Sequence, residues 1–332
     1  KDSGGVLYMI NSQVVNTILR SNIRANSVDG SGIILMIESS LTLKSVVFES
    51  NTSKNGSPGI VTQSSILMIV DSVLRAQQTK SNAFLSLTAG SSGVFDKTAF
   101  RDGKATLGGG LGEILNSSAA FNGCFFSYID SGSGAMISSS ESNLAFEGCS
   151  GSFLNTTSSG SFLEAKTGSL KVIGSTISDF SQTAISTSNT KTIEIVTSNF
   201  VRGKGFSSTV FSAQNFNLLS IQKSTFKHNL ASSSSIFRAT TLNNWPEESA
   251  LLIDECVFFN NSAASEVVYT DVKYVNITNS LFSHNSAKAG SGGAIQLDCE
   301  VANPCAFCII SSNFTSNTAK LNGGAIYWTK KE

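Results

Sequence analysis

The chain has 332 residues with 23 basic and 23 acidic side chains, so no charge imbalance directs it to nucleic acid or to an anionic membrane surface. Charged residues are only 14% of the chain, which excludes a helical protein coated in Lys and Glu. The 22 Phe and a hydrophobic share of 40% exclude a disordered one. No apolar run reaches the ~18 residues of a transmembrane helix. The first residues, KDSGGVLYMI, lack the basic and apolar regions of a signal peptide, and the chain is expected to be a segment of something longer.

The elements in chain order repeat one phrase. It begins with TILRSNI, ending at Ile23, and continues through LTLKSVVF (Phe48), LMIVDSVL (Leu74), VFDKTAF (Phe100) and AFNGCFF (Phe126). A degraded copy near 151–153 has an ambiguous register. The phrase then returns as LKVIGSTI (Ile177), IEIVTSNF (Phe200), LLSIQKSTF (Phe226), LLIDECVF (Phe258), YVNITNSLF (Phe282) and CIISSNF (Phe314). That makes about twelve copies, most of them 23 to 26 residues apart, with two spacings of 32. The long spacings are assigned to insertions at 240–249 and 298–305.

Each copy holds short apolar bursts rich in Ile, Val, Phe and Thr, separated by Ser, Asn and Gly, and none has the length or caps of a helix. These are strand and tight-turn signals. A β-sandwich is also built of short strands, but it has no reason to keep column identity at a constant period. The expected fold is therefore all-β, a single-stranded parallel β-helix of the pectin-lyase-like solenoid type. About twelve turns of roughly 25 residues would form one continuous array over residues 1–332.

Fixed columns then mean vertical neighbours. An aromatic core stack is expected at Phe48, Phe100, Phe126, Phe200, Phe226, Phe258, Phe282 and Phe314, with small Ser, Thr or Cys two residues earlier. Three residues after the aromatic, Asn26, Asn51, Asn229, Asn261, Asn285 and Asn317 are expected to take the left-handed conformation and pass hydrogen bonds from amide to amide. Glycine before Ala-Ile would permit the sharp re-entry into the next strand.

Two segments carry both parts of the motif: Phe282/Asn285 with Gly292-Gly293-Ala294-Ile295, and Phe314/Asn317 with Gly323-Gly324-Ala325-Ile326. They resemble the Phe-x-x-Asn and Gly-Gly-Ala-[Ile/Leu/Val] repeats of the chlamydial polymorphic outer-membrane proteins and similar repeats in some protist surface proteins. Phe48/Asn51, Phe226/Asn229 and Phe258/Asn261 keep the first motif alone. The resemblance implies a β-helical, adhesive protein at a cell surface. It brings no counterpart of an autotransporter barrel in this chain.

Catalytic chemistry has little to stand on. Glycoside hydrolysis needs two facing carboxylates, whereas the Asp and Glu residues here are scattered. The best group, Asp96 and Asp102 around Arg101, reads as a solvated turn. His228 and His284 share a column two turns apart, ~10 Å at the inter-strand spacing, too far for one metal. The run Gly108-Gly109-Gly110 with Gly112 lacks the following Lys-[Ser/Thr] of a phosphate loop. No enzyme, cofactor or metal is expected.

Cys124 and Cys149 fall one turn apart, at a spacing open to a disulfide or to packed free thiols. Cys299, Cys305 and Cys308 share the last insertion, where one disulfide is expected, and Cys256 reads as a core thiol. Asn260 and Asn313 point outward and are candidate glycosylation sites, as are Asn276 and Asn51. The functional expectation is a non-catalytic, rod-like structural or adhesive segment of a cell-surface or extracellular protein. Its partners would be other protein modules or subunits met at the solenoid ends or the C-terminal insertions, with a filament or assembly as one setting. The alternative is a carbohydrate-binding or carbohydrate-active β-helix, with Trp245, Tyr269, Tyr327 and Trp328 as its aromatics and glycans as its partners.

Overall fold

The structure is a computed structural model that describes residues 6–28, 32–53, 59–80, 82–106, 109–131, 135–156, 160–205, 210–241, 249–300 and 305–331. Its described elements are all β-strands. They form two compact units, Lys1–Lys166 and Thr167–Glu332.

In the first unit a turn runs through Ser40–Lys44, Val47–Glu49, Thr52–Ser53 and Ile60–Gln63. The next runs through Ile66–Val70, Val73–Arg75, Gln78–Thr79 and Leu85–Thr88. Each strand pairs in parallel with its equivalent: Leu41 with Leu67, Phe48 with Leu74, Ser53 with Thr79, Ile60 with Leu85. Alternation does the rest. Along Ser40–Lys44 only Leu41 and Leu43 are buried, because successive side chains leave opposite faces of a strand.

The second unit repeats the plan. Ala250–Asp254, Val257–Phe259, Ser262–Ala263 and Val268–Thr270 lie under Tyr274–Thr278, Leu281–Ser283, Ser286–Ala287 and Ile295–Glu300. All four pairings are again parallel and in register. This is a parallel β-solenoid in each unit.

The aromatic column is a set of near-parallel rings. Phe100 and Phe126 stack at 5.5 Å, Phe200 and Phe226 at 5.3 Å. Phe226–Phe258, Phe258–Phe282 and Phe282–Phe314 follow at 4.5, 4.6 and 4.9 Å. Phe48 is buried in the same column, with Leu74 as its neighbour in the next turn. Each ring pair adds roughly 0.5–1.5 kcal/mol to area burial. A second stack, Phe95–Phe121–Phe146 at 4.7 and 4.8 Å, lines the facing strand of the first unit.

The ambiguous copy is resolved by its pairing: Phe126 is in register with Gly151, so glycine stands in the aromatic column there. Phe162 lies 5.7 Å from the Phe126 ring and 6.4 Å from Phe146, which brings another ring to that level of the core. The side chain of Phe153 lies outside the described residues.

The asparagine columns are hydrogen-bonded, but their backbone differs from the expectation. None of the six asparagines has a positive φ. The residue before each does: Ala25 (54°), Ser50 (53°), His228 (55°), Asn260 (50°), His284 (55°) and Ser316 (51°). The asparagine is thereby left in ordinary backbone geometry with its amide turned into the stack. A second left-handed corner precedes the small-residue column, at Arg20, Ser45, Asp71, Lys97, Thr197, Lys223, Glu255, Asn279 and Ser311. Such a conformation costs a non-glycine residue ~1–2 kcal/mol. Here the hydrogen bonds between turns offset it: at the second corner Ser45 N–H donates to Val70 O at 3.0 Å and Lys97 N–H to Asn122 O at 2.8 Å.

The paired glycines have separate reasons. Gly292 and Gly323 have φ of 67° and 59°, and Gly293 sits where a Cβ would run into the carbonyl oxygens of Gly324 and Thr318 in the next turn. One glycine turns the chain and the other lets two turns approach.

Candidate binding face

The asparagine ladder is a continuous polar construction of the second unit. Asn229 Nδ2 donates to Asn261 Oδ1 at 3.1 Å, Asn261 to Asn285 at 3.0 Å, and Asn285 to Asn317 at 3.1 Å. Each acceptor oxygen also takes the backbone N–H of the asparagine below, and each upper amide returns a bond to the carbonyl of the Phe below, as Asn261 does to Phe226 O at 2.9 Å. The first unit has a short version, in which Asn26 donates to Asn51 Oδ1 at 2.9 Å. Buried amides so satisfied are structural; they hold no capacity for a ligand.

Asn51 is 0% exposed and its amide donates to Ile23 O, so it is withdrawn as a glycosylation candidate: the nitrogen a glycan would need is committed inside the core. Asn260, Asn276 and Asn313 are exposed. Asn260 Nδ2 lies 3.0 Å from His228 Nδ1, and the two histidines flank Phe259, whose ring is 5.6 and 5.5 Å from theirs.

The cysteines divide as the last insertion suggested, and the open pair Cys124 and Cys149 is not cross-linked. Cys299 and Cys305 form a disulfide, while Cys124, Cys149, Cys256 and Cys308 are free thiols. Cys124 and Cys149 occupy the hydroxyl column and point their sulfurs at the carbonyls of Phe95 and Phe121, at 3.3 and 3.2 Å. They act there as serine substitutes, not as a cross-link. Contact with the Cys149 thiol and burial push the Cys124 thiol above its ordinary range. Burial, with smaller contributions from the Asp254 and Glu255 charges, pushes Cys256 up to about 12. Cys308 is exposed.

Arg101, placed by the sequence in an acidic turn, instead lies over the Phe125 ring at 5.0 Å. Trp245, Gly108, residues 242–248 of the first insertion and 301–304 of the second lie outside the described residues. Among the described residues no three His, Cys, Asp or Glu side chains are grouped to hold a metal.

One cluster on the outer side of the second unit is of another kind. Parallel register aligns Arg238 with Tyr269, Tyr269 with Gln296, and Gln296 with Tyr327 on successive turns. The Arg238 guanidinium lies 4.6 Å from the Tyr269 ring centroid. Tyr269 Oη donates to Asp298 Oδ2 at 3.1 Å, and Gln296 Nε2 donates to Asp298 Oδ1 at 3.0 Å. Beside them the Ser235 hydroxyl donates to Glu266, and Thr241 N–H donates to Asp271 Oδ1 at 2.7 Å.

Tyr269 is 8% and Asp298 5% exposed, although both leave the sheet on its outer side. Arg238, Gln296 and Tyr327 of the same outward row are half-exposed. Burial raises the Tyr269 hydroxyl, and Asp298 and Asp271 raise it further, so it remains a neutral donor. Burial also raises Glu266, against the opposing pull of the Ser235 bond and Arg238.

Two aromatics of the sequence reading, Tyr269 and Tyr327, thus belong to this row. Trp328 does not: it is in register with Leu297, a core column, and its Nε1 donates to Cys299 Sγ at 3.3 Å, with Phe307 5.5 Å away. Arg238, Gln296 and Asp298 were missed by the sequence reading. The signal available was position, because each falls one or three residues after the Ile or Phe that opens its strand.

Comparison with known proteins agrees with the repeats. Residues 279–298 and 311–327 match the Chlamydia polymorphic membrane protein repeat. Both matched segments run through the Phe-x-x-Asn and Gly-Gly-Ala-Ile turns described above. No curated protein matches the chain. Among solved structures, a double mutant of the periplasmic alginate epimerase AlgG is similar at 10% identity and a TM-score of 0.34, over 89% of this chain and 78% of that one.

Proposed function

We propose that this chain is a solenoid segment of a cell-surface protein, non-catalytic, whose side walls serve as an adhesive or spacing surface. The observation that carries the reading is the match of two successive turns to the Chlamydia polymorphic membrane protein repeat. Every residue of that motif is accounted for by stacking: Phe282 and Phe314 as rings, Asn285 and Asn317 as ladder amides, Gly292 and Gly323 as left-handed corners. A repeat spent on its own core leaves the outward columns to vary, which suits a surface that meets partners. The partners are other protein modules or subunits.

The test is display. Antibodies raised against the folded 332-residue chain are expected to label intact, unpermeabilised source cells, and protease added outside is expected to remove the label. Labelling that requires permeabilisation contradicts the proposal. A second reading, carbohydrate binding, is favoured by one specific observation, the Arg238–Tyr269–Gln296–Tyr327 row.

A further inference from the structure

We propose that the upper face of the last described turn is a docking surface for a Ser-x-Phe-x-x-Asn turn carried by another protein module. That face belongs to Ala306–Ile310, Asn313–Thr315, Thr318–Ala319 and Ile326–Lys331 of the second unit. This deepens the surface reading by giving one partner its chemistry, and rests on that reading for the partner's setting.

Ladder polarity sets what the face accepts. Below it each rung works in one direction. Asn285 N–H and Nδ2 donate to Asn317 Oδ1 at 3.0 and 3.1 Å, and Ser280 N–H donates to Ser312 Oγ at 3.2 Å. In the last turn the Asn317 amide makes its bond down to Phe282 O at 2.8 Å. Its second Nδ2 proton, its backbone N–H and the Ser312 N–H have no acceptor among the described residues. The strand that fits these donors brings an amide oxygen and a hydroxyl oxygen at the spacing of Ser280 and Asn285. Added in parallel, it gains main-chain bonds as well, the usual basis of strand addition at an open sheet edge. A second face of the same kind would set donors against donors.

Two further features call for the same occupant. The inward columns lie open: Trp328 is 54% exposed where Leu297, its neighbour in the turn below, is 3%, and Phe307 is 39% where Val275 is 4%. An added turn covers both, and its ring stacks on Phe314 as Phe314 stacks on Phe282. Gly324 is the more selective sign. Its φ is not positive, and a Cβ there would meet only Asn317 O, at an ordinary 3.5 Å. A Cβ on Gly293, one turn below, would run into Gly324 O and Thr318 O. The described turns give glycine no reason at 324. A further turn closing over it, as Gly324 closes over Gly293, supplies one.

A second copy of this chain is the wrong occupant. To set its Ser21 and Asn26 over Ser312 and Asn317, its Ile34–Ile37 would have to pair with Ile326–Lys331. That edge of Ile34–Ile37 is already held by Leu7–Ile10.

The experiment titrates a synthetic peptide copying residues 274–297, which holds Ser280, Phe282, Asn285 and Gly293 and no cysteine, into the isotope-labelled 332-residue chain. NMR is expected to show binding, with shifts at the Asn317 and Ser312 amides and the Trp328 indole. The peptide carrying Asn285→Leu should bind about tenfold more weakly. Gly324→Ala in the chain should also weaken binding about tenfold, with an unchanged thermal midpoint because the free chain has room for the methyl group. No binding, binding indifferent to Gly324→Ala, or shifts confined to other residues would overturn the proposal. So would self-association in sedimentation that shifts the same Asn317 and Ser312 amides, which would make a second copy the occupant. Surface labelling of cells is read independently, so a failed titration with intact display removes the docking surface and leaves the surface reading standing.

Discussion

The corner that closes each turn is built in two ways in the two units. In the first, Ser39, Ser65, Ser91, Ser117 and Ser142 form a hydroxyl ladder: the N–H of each of the first four donates to the next hydroxyl at 3.1 to 3.2 Å. Most of these hydroxyls return to the carbonyl two residues back, as Ser65 does to Gln63 O at 2.7 Å. In the second unit the same corner carries Thr190 and Phe216 on successive turns. A serine returns at Ser249, whose carbonyl accepts from Tyr274 N–H as Ser39 O does from Ile66 N–H, and both insertions fall at this corner. A serine rung constrains its own corner and not the rest of the turn, since Ser280 N–H still reaches Ser312 Oγ at 3.2 Å across a 32-residue spacing. Where the serine ladder is interrupted, the corner takes up both loops. A hydrogen-bonded corner keeps its own length; an unladdered one admits insertions.

The most disruptive change should be a break in the polar ladder of the second unit. Asn261→Ala strands the donors of Asn229 and the carbonyl of Phe226 in the core, and is expected to cost about 3 kcal/mol, since each buried unpaired group costs ~1–3 kcal/mol. Urea unfolding measures it, and a loss below 1 kcal/mol would count against the ladder. The contrast between corners is sharpened by insertion. Four Gly/Ser residues placed between Ala89 and Ser91 should cost about 2 kcal/mol through lost hydroxyl bonds. The same four placed between Asp271 and Lys273 should cost about 0.6 kcal/mol, near the loop-closure term alone. Equal costs would erase the distinction.

Smaller still is the loss of one rung. Ser65→Ala should cost about 1 kcal/mol, and Ser65→Cys less, because Cys124, Cys149 and Cys256 already direct sulfurs to backbone carbonyls in the neighbouring hydroxyl column. The mildest effect depends on pH. Burial raises Glu266 in the folded state, so the folded chain binds its proton more tightly than the unfolded one. Its stability contribution is complete below the unfolded value of ~4.3 and is lost as pH rises through the raised folded value. Glu266→Gln should therefore gain stability on the wild type as pH rises from 4 towards 7, about the range over which thermal midpoints should be compared. A constant offset would contradict the assignment.

Much of this architecture is legible in the amino-acid sequence, and the limits have physical causes. Rings and ladder amides are readable because a vertical neighbour demands the same chemistry on every turn, as Phe258, Phe282 and Phe314 show. The left-handed corners are not readable, because exposed corner residues are unconstrained in type and Arg, Asp, Lys, Glu and Thr all occur there. Gly151 hid its register by removing the ring that marks the column. The serine ladder was visible in principle as Ser recurring at a near-constant interval, but serine is too common in this chain to stand out. The outward row from Arg238 to Tyr327 repeats no residue type consistently, and insertions alter its spacing, so only strand pairing brings it together.

The most direct test of the stacked architecture is side-chain amide hydrogen exchange by NMR on the intact chain. The account predicts that the Nδ2 protons of Asn261 and Asn285, bonded to a carbonyl below and an amide above, exchange slowly, while those of the exposed Asn276 and Asn313 exchange at free rates. Uniformly fast exchange at all four would contradict the ladder and, with it, the register on which both units are built.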